Sequence, residues 1–519
     1  TTVAAVGTLD ASDMTGALTA TVGAGASGLL SVTGGAGADT LYVNSGAMNS
    51  DLTIDGGAGV DTLVVTSAAY SATSTTGQAG DGVTNMEVLL VAGSADLRSF
   101  SNNTFAGLVS AGAASIAGLG ADAVALTMTA AGNQTLDRAT DGTANAATVS
   151  FAGTSAFTVA SLNVADEETV TINSGSVLAG SNAITSLVGT DLTSLTIAGS
   201  RDLTISAISG TKLATVDASG LSGLGTVLDI TASNSTADMT VTGAAGVESS
   251  DGEVMNDITT GSGADAITTG DYAATISAGN GDNTVVAGDG DNTVTVGKDE
   301  NTITVGDGDN GITAGNGDNT ITVGGIATSV NSITVGNGDN TITSGAGVDT
   351  VTLGTGDDTV DTGAGADKIY MGGYDDDDVI DGGTGTDTLS SAALSSSTAL
   401  AGAQIQPVGK FIDLTPGTSK TSSPAFTAVE NVYMDVNLAT ANVSAATGET
   451  VDFAASSGIS NLYLNVTDAD DGATTAVLTL SDVDAAAIHL VESGTTESLG
   501  SLVIGGTGQA SLTVKGHAV

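Results

Sequence analysis

Acidic and amide side chains recur at nine-residue intervals through the middle of this chain. Residues 278–322 read AGNGDNTVV, AGDGDNTVT, VGKDENTIT, VGDGDNGIT and AGNGDNTIT, consecutive nonapeptides with no residue gained or lost. Their turns carry Asp282 with Asn283, Asp291 with Asn292, Asn301, Asp309 with Asn310, and Asp318 with Asn319; Asp339 with Asn340 continues the series. If two nonapeptides make one coil, turns 18 residues apart stack on one edge at the inter-strand spacing of about 4.8 Å. Asn283 then lies over Asn301, Asn292 over Asn310, and Asp349 over Asp367. A cation midway would sit about 2.4 Å from each oxygen, inside the range for calcium; magnesium is disfavoured because it wants shorter, strictly octahedral contacts and gives up its water reluctantly. Glycine-rich turns expose carbonyl oxygens that add to the ligand count.

What must position these turns is legible in the other half of each unit. After the turn comes T-(I/V)-(T/V)-(A/V), whose β-branched residues alternate as in a half-buried strand. Val285, Val294, Ile303, Ile312 and Ile321 point to one side, joined two places on by Ala287, Val296, Val305, Ala314 and Val323. Two inward side chains cannot form a core alone, so the coils must stack. The expected fold is all-β, a parallel β-solenoid.

Three segments carry the strict pattern G-G-x-G-x-D-x-U-x: GGAGADTLY at 34–42, GGAGVDTLV at 56–64 and GGTGTDTLS at 382–390. The array resembles the calcium-binding repeats of RTX proteins, which implies a β-roll and calcium at Asp39, Asp61 and Asp387. The matching turns add Asp265, Asp349, Asp357, Asp358, Asp367 and Asp378 as candidate ligands. The central units depart from the pattern, with Asn at position six and Asp one place earlier. Either the asparagine supplies the ligand oxygen with the neighbouring aspartate as outer charge, which is the favoured reading, or Asp282, Asp291, Asp309, Asp318 and Asp339 bind directly.

Across all 519 residues, 58 acids stand against 9 Lys and Arg for a net charge of −49, which argues against nucleic acid or an anionic membrane as partner. Hydrophobic residues at 40% argue against disorder. Cysteine is absent, so any staples must be metal rather than disulfide. No run approaches the roughly 20 apolar residues of a membrane span. The chain starts Thr1-Thr2-Val3 and is expected to be processed or a piece of a longer protein.

Five regions are expected. Residues 1–100 hold two RTX-like units 22 residues apart, so Asp39 and Asp61 can share an ion; the string Val83 to Val91 restores a strand. Residues 101–255 lack the motif but keep short strands, with Leu192, Leu195 and Ile197 recurring as Leu213, Val216 and Ala218; a calcium-free solenoid and a β-sandwich both fit. Residues 256–390 form the nonapeptide roll, about fourteen units, with insertions at Val323 to Thr334 and Met371 to Asp381. Residues 391–425 form a Ser/Pro-containing linker with Pro407, Pro416 and Pro424, and residues 426–519 a C-terminal β domain. The run Asp375 to Asp378 and the trio Asp468, Asp470 and Asp471 read first as solvated turns.

Catalytic signatures are missing. His489 and His517 are the only histidines, and there is no H-E-x-x-H, G-x-S-x-G or P-loop. With 3% aromatics and no Trp, little is available to stack sugar rings. The string Thr215 to Gly223, the Val-Glu-Asn-Val string at 429–432 with its echo at 86–91, and the RTX blocks together resemble bacterial surface-layer proteins exported by type I secretion, although Ser511 to Val519 does not match that family's secretion signal. That resemblance implies a non-enzymatic, calcium-dependent subunit of a two-dimensional lattice, attached to lipopolysaccharide through a segment outside this chain. The alternative is an RTX-type adhesin, with ice binding through outward T-x-T pairs as a minor form. Calcium in roughly eight to ten sites is expected to hold 260–390 as one unit that melts on chelation.

Overall fold

The computed structural model describes residues 2–3, 7–22, 30–43, 48, 52–66, 80–175, 180–222, 227–244, 256–372, 378–390, 412–413, 421–422, 425–437, 448–467, 477–483, 485, 487–492, 501–505 and 511–515. Every strand pair in them is parallel, and the fold is a parallel β-solenoid. The chain divides into two compact units, Thr1–Gly270 and Asp271–Val519.

In the first unit the earliest coils have two faces. Thr19–Val22, Thr40–Val43, Thr62–Thr66 and Val88–Asp96 stack on one, and Thr8–Asp10, Leu30–Thr33, Leu52–Asp55 and Val83–Thr84 on the other. The string Val83 to Val91 is therefore two strands. Asn85 adopts φ 53, the left-handed region, and breaks it so that its ends lie on different faces. The long strand Gly107–Leu119 then forks. Its first half pairs with Val124–Met128 and its second with Gln134–Arg138. The next coils have three short faces, as in Ala146–Phe151, Thr158–Val159 and Leu162–Asn163, and the third face ends at the bridge from Leu187 to Ile208. The added corner explains the longer, less regular coils as far as Ile208. The β-sandwich alternative fails because sandwiches are built from antiparallel strands. The step from Leu195 to Val216 is one coil.

The second unit carries the nonapeptides. Thr284–Ala287, Thr302–Val305, Thr320–Val323, Thr341–Thr343 and Thr359–Asp361 form one face, and Ala274–Ala278, Thr293–Val296, Gly311–Ala314, Ser332–Val335 and Thr350–Thr352 the other. Residues 18 apart pair, Ile303 with Ile321 for example. Both inward positions of each unit are buried, Val285 and Ala287 through Ile321 and Val323, and the intervening threonines are exposed. The insertion at Val323 to Thr334 lengthens one step to 21 residues without shifting the face, since Ile321 pairs with Ile342. Beyond the array, Asn431–Asn437, Asn461–Thr467 and Ala487–Glu492 continue the stacking. His489 lies in the last of these and stacks on Tyr463, ring centroids 4.5 Å apart. The three prolines of the 391–425 segment, Asp375 to Asp377, and the trio Asp468, Asp470 and Asp471 lie outside the described residues.

The turns explain the glycines. Gly308 has φ 123, and a Cβ there would strike the Gly290 backbone one coil away. The polar turn residues link coils instead. The side chains of Asp291, Asp318 and Asp339 accept the N–H groups of Asp309, Asp339 and Asp357, all at 2.8–2.9 Å.

Candidate metal sites

Position six of each unit, the residue just before the strand, is buried on the coil edge. Its side chain does two jobs. Oδ1 accepts the N–H of position six in the preceding coil, and the second terminal atom faces the turn's own carbonyls. Where position six is asparagine, that second atom is Nδ2. In Asn283, Asn292, Asn301, Asn310, Asn319 and Asn340 it donates to the carbonyl two residues back at 2.7–3.1 Å. It also reaches the carbonyl four residues back at 2.9–3.5 Å. A third acceptor is Oδ1 of the next coil's position-six residue, at 2.8–3.2 Å. The amide orientation follows from this network, because reversing it would set oxygen against three oxygens.

These six asparagines are the residues expected to supply oxygen to calcium, and in the structure they hydrogen-bond along the coil edge. Their oxygens serve backbone N–H groups, and the –NH₂ group takes the place a cation would need among the carbonyls. The neighbouring aspartates lie outside that arrangement. Asp282, Asp291, Asp309, Asp318, Asp339 and Asp357 are exposed on the turn surface, and Asp282 and Asp309 accept N–H groups of Glu300 and Val330.

Where position six is aspartate, the same place holds a carboxylate oxygen. Asp349, Asp367 and Asp387 stack on one edge, each N–H donating to the next Oδ1 at 2.8 Å. Asp358 and Asp378 stack on the other, also at 2.8 Å. The Asp39 N–H donates to Asp61 Oδ1 at 2.7 Å, so these two lie on neighbouring coils of one edge. All are buried. The Oδ2 atoms of Asp61, Asp349, Asp367 and Asp387 accept no hydrogen bond. Ser344 and Thr362 lie beside Asp349 and Asp367 but donate their hydroxyls to the Thr362 and Gly382 carbonyls. Asp39 differs, since its Oδ2 accepts the Gly35 N–H at 2.9 Å. Asp265, buried, accepts the Met239 N–H at 2.9 Å.

A buried carboxylate oxygen with no donor is costly, and more so beside like charges. Burial raises the carboxyl groups of Asp61, Asp265, Asp349 and Asp387 above the usual range, and it pushes Asp367 up to about 6, with Asp349 and Asp387 adding to it. A carboxyl raised in the folded state holds its proton better there than in the unfolded chain. Without metal, stability at Asp367 therefore falls as pH rises from the ordinary value toward about 6. A dication reverses the sign. Among the described residues no three His, Cys, Asp or Glu side chains converge on one point, so an ion here would be held by one or two carboxylates with main-chain carbonyls, an all-oxygen set of the kind calcium takes. The aspartate rungs offer calcium an oxygen where the asparagine rungs hold a donor.

The profile of the RTX calcium-binding nonapeptide repeat matches four times, at 31–47, 259–294, 334–369 and 354–389. The chain carries RTX calcium-binding repeats. RTX proteins are typically extracellular. No curated protein matches the chain, and no solved structure does. Among the described residues no helix is long and apolar enough to cross a membrane.

Three position-six residues escape a reading of the repeat alone. Asn331 stands between Asn310 and Asp349 in the stack, hidden by the insertion before it. Glu87 and Glu430 accept the N–H groups of Asp61 and Asp387, each at 2.7 Å; their signal was the recurring Glu directly before a strand.

The first unit solves the same problem with a built-in cation. Arg138 is fully buried and pairs with Glu167 at 2.6 Å. Its guanidinium also donates to the Gly120, Asp122 and Ala146 carbonyls. Arg138→Ala strands the Glu167 charge and is expected to cost about 3–5 kcal/mol. Thermal unfolding with and without calcium checks this, and the loss should be the same in both.

Proposed function

We propose that this chain is a structural subunit of a bacterial surface layer, folding outside the cell and joining further copies of itself into a two-dimensional lattice as calcium binds. The observation that carries the reading is the ladder of buried aspartates with unmet oxygens in an RTX solenoid, which makes rigidity depend on an ion plentiful outside cells and scarce within them. The strongly acidic composition suits a protein whose copies approach one another only through bridging cations. The role needs no catalysis, and none is assigned. Attachment to lipopolysaccharide and export by type I secretion belong to the same reading.

An adhesin is the second reading, favoured by one feature. Thr302, Thr320 and Thr341, and beside them Thr304, Thr322 and Thr343, form exposed rows in exact register, a flat face able to meet an ordered ligand. Electron microscopy of native cell surfaces separates the two. A surface layer gives a periodic array that disperses on chelation, whereas monomers that stay dispersed at high calcium would refute the lattice role; thermal hysteresis would mark the ice-binding form.

A further inference from the structure

Each aspartate ladder that ends on a two-carboxylate rung ends the same way. In the first unit Asp61 donates its N–H to Glu87 Oε2, and in the second Asp387 donates to Glu430 Oε2. Just upstream, Asn85 and Ala428 take left-handed backbones, φ 53 and 51, followed by buried Met86 and Val429. Opposite lies the first glycine of the unit. A Cβ on Gly56 would fall 2.7 Å from Asp61 Oδ2 and against the Asn85 carbonyl oxygen; one on Gly382 would fall 3.1 Å from Asp387 Oδ2 and against the Ala428 carbonyl oxygen. Carboxylate and main-chain oxygens thus crowd the same bare glycine at both places, and the Oδ2 atoms there are buried without a donor.

We propose that Glu87 and Glu430 are calcium ligands, completing two end sites with Asp61 and Asp387. The next coil offers no further aspartate to these rungs, and the longer glutamate side chain reaches the aspartate's N–H from a coil whose backbone has changed path. One oxygen meets that N–H, which brings the glutamate carboxylate against the aspartate whose Oδ2 is unmet. A third glutamate shows that the hydrogen bond alone does not make a site. Glu168 Oε2 accepts the Asn145 N–H at 2.6 Å, but Asn145 brings an amide that donates to the Asp166 carbonyl at 3.0 Å, so a donor stands there in place of an unmet carboxylate oxygen.

The inference rests on calcium filling the aspartate rungs and not on the lattice role. The test is calcium stoichiometry and affinity of the full chain, by equilibrium dialysis and isothermal titration, for Glu87→Gln, Glu430→Gln, Glu168→Gln and Asp367→Asn. Glutamine can still accept the N–H, so the coil is kept while the charge is lost. Glu87→Gln and Glu430→Gln should each weaken one ion at least tenfold, and Glu168→Gln none. Unchanged binding in both, with Asp367→Asn losing an ion, would overturn the glutamate ligands and leave the calcium reading standing. If Asp367→Asn also loses nothing, calcium itself is wrong. Should either Gln variant unfold locally by amide exchange, Glu87→Asp and Glu430→Asp retain the charge at shorter reach, and an ion restored there at high calcium supports ligation, whereas none restored refutes it.

Discussion

Chelation should open the aspartate rungs and leave the asparagine run closed. With calcium removed, amide exchange is expected to rise at 349–390 and at 52–66, and to stay slow at 283–323. The reason is the identity of one atom per rung. At Asp349, Asp367 and Asp387 an unmet oxygen stands where Asn283, Asn301 and Asn319 hold a donor. A site saturated at a hundred times its Kd contributes about 2.7 kcal/mol, so losing one ion should speed exchange around it by roughly a hundredfold. Solenoid contacts run between neighbouring coils, which confines the effect. The competing expectation is that 260–390 melts as a unit. Asp367→Asn is the matching control, expected to reduce the calcium requirement of its own rung. Hydrogen exchange with mass detection at high and zero calcium decides the matter, and uniform loosening through Ile321 would show that the asparagine run also holds ions.

The solenoid was legible because its period is written twice, in the turn glycines and in the alternation around Val285 and Ile303. Register followed, since 18-residue pairing is what stacking nonapeptides requires. The split at Asn85 was not legible. A run from Val83 to Val91 reads as one strand until the backbone reverses its φ, and the buried Met86 and half-buried Glu87 that make the break useful look like strand residues. The ligand question was harder still. Asn and Asp have the same shape, and spacing alone places either oxygen at a plausible distance from an ion. Only the carbonyls around the second atom distinguish them, and these belong to turns whose conformation the sequence does not state. The three-faced coils between 146 and 208 were missed for a related reason, as faces of two residues such as Leu162–Asn163 leave no periodic trace.

Asn301→Asp should convert a calcium-indifferent rung into a calcium-dependent one. Asn301 Nδ2 donates to the Asp299 carbonyl at 2.8 Å, to Asn319 Oδ1 at 2.9 Å and to the Gly297 carbonyl at 3.5 Å. Replacing that nitrogen with a carboxylate oxygen turns three attractions into repulsions in a site 1% exposed. Its Oδ1 is unaffected and can still accept from Asn283, so the stacking of the coil is retained. Without metal the uncompensated buried charge is expected to cost about 3–5 kcal/mol, enough to open the middle of a run that otherwise resists chelation. With calcium, the same oxygens become a ligand set, and most of that loss should be recovered. Amide exchange of residues 293–323 in wild type and variant, each with and without calcium, reads both effects. A variant as stable as wild type in chelator would mean that the amide does not stand in for an ion. One that stays destabilised at saturating calcium would mean that the turn carbonyls cannot coordinate it, and the aspartate rungs would then need another account of their buried charge.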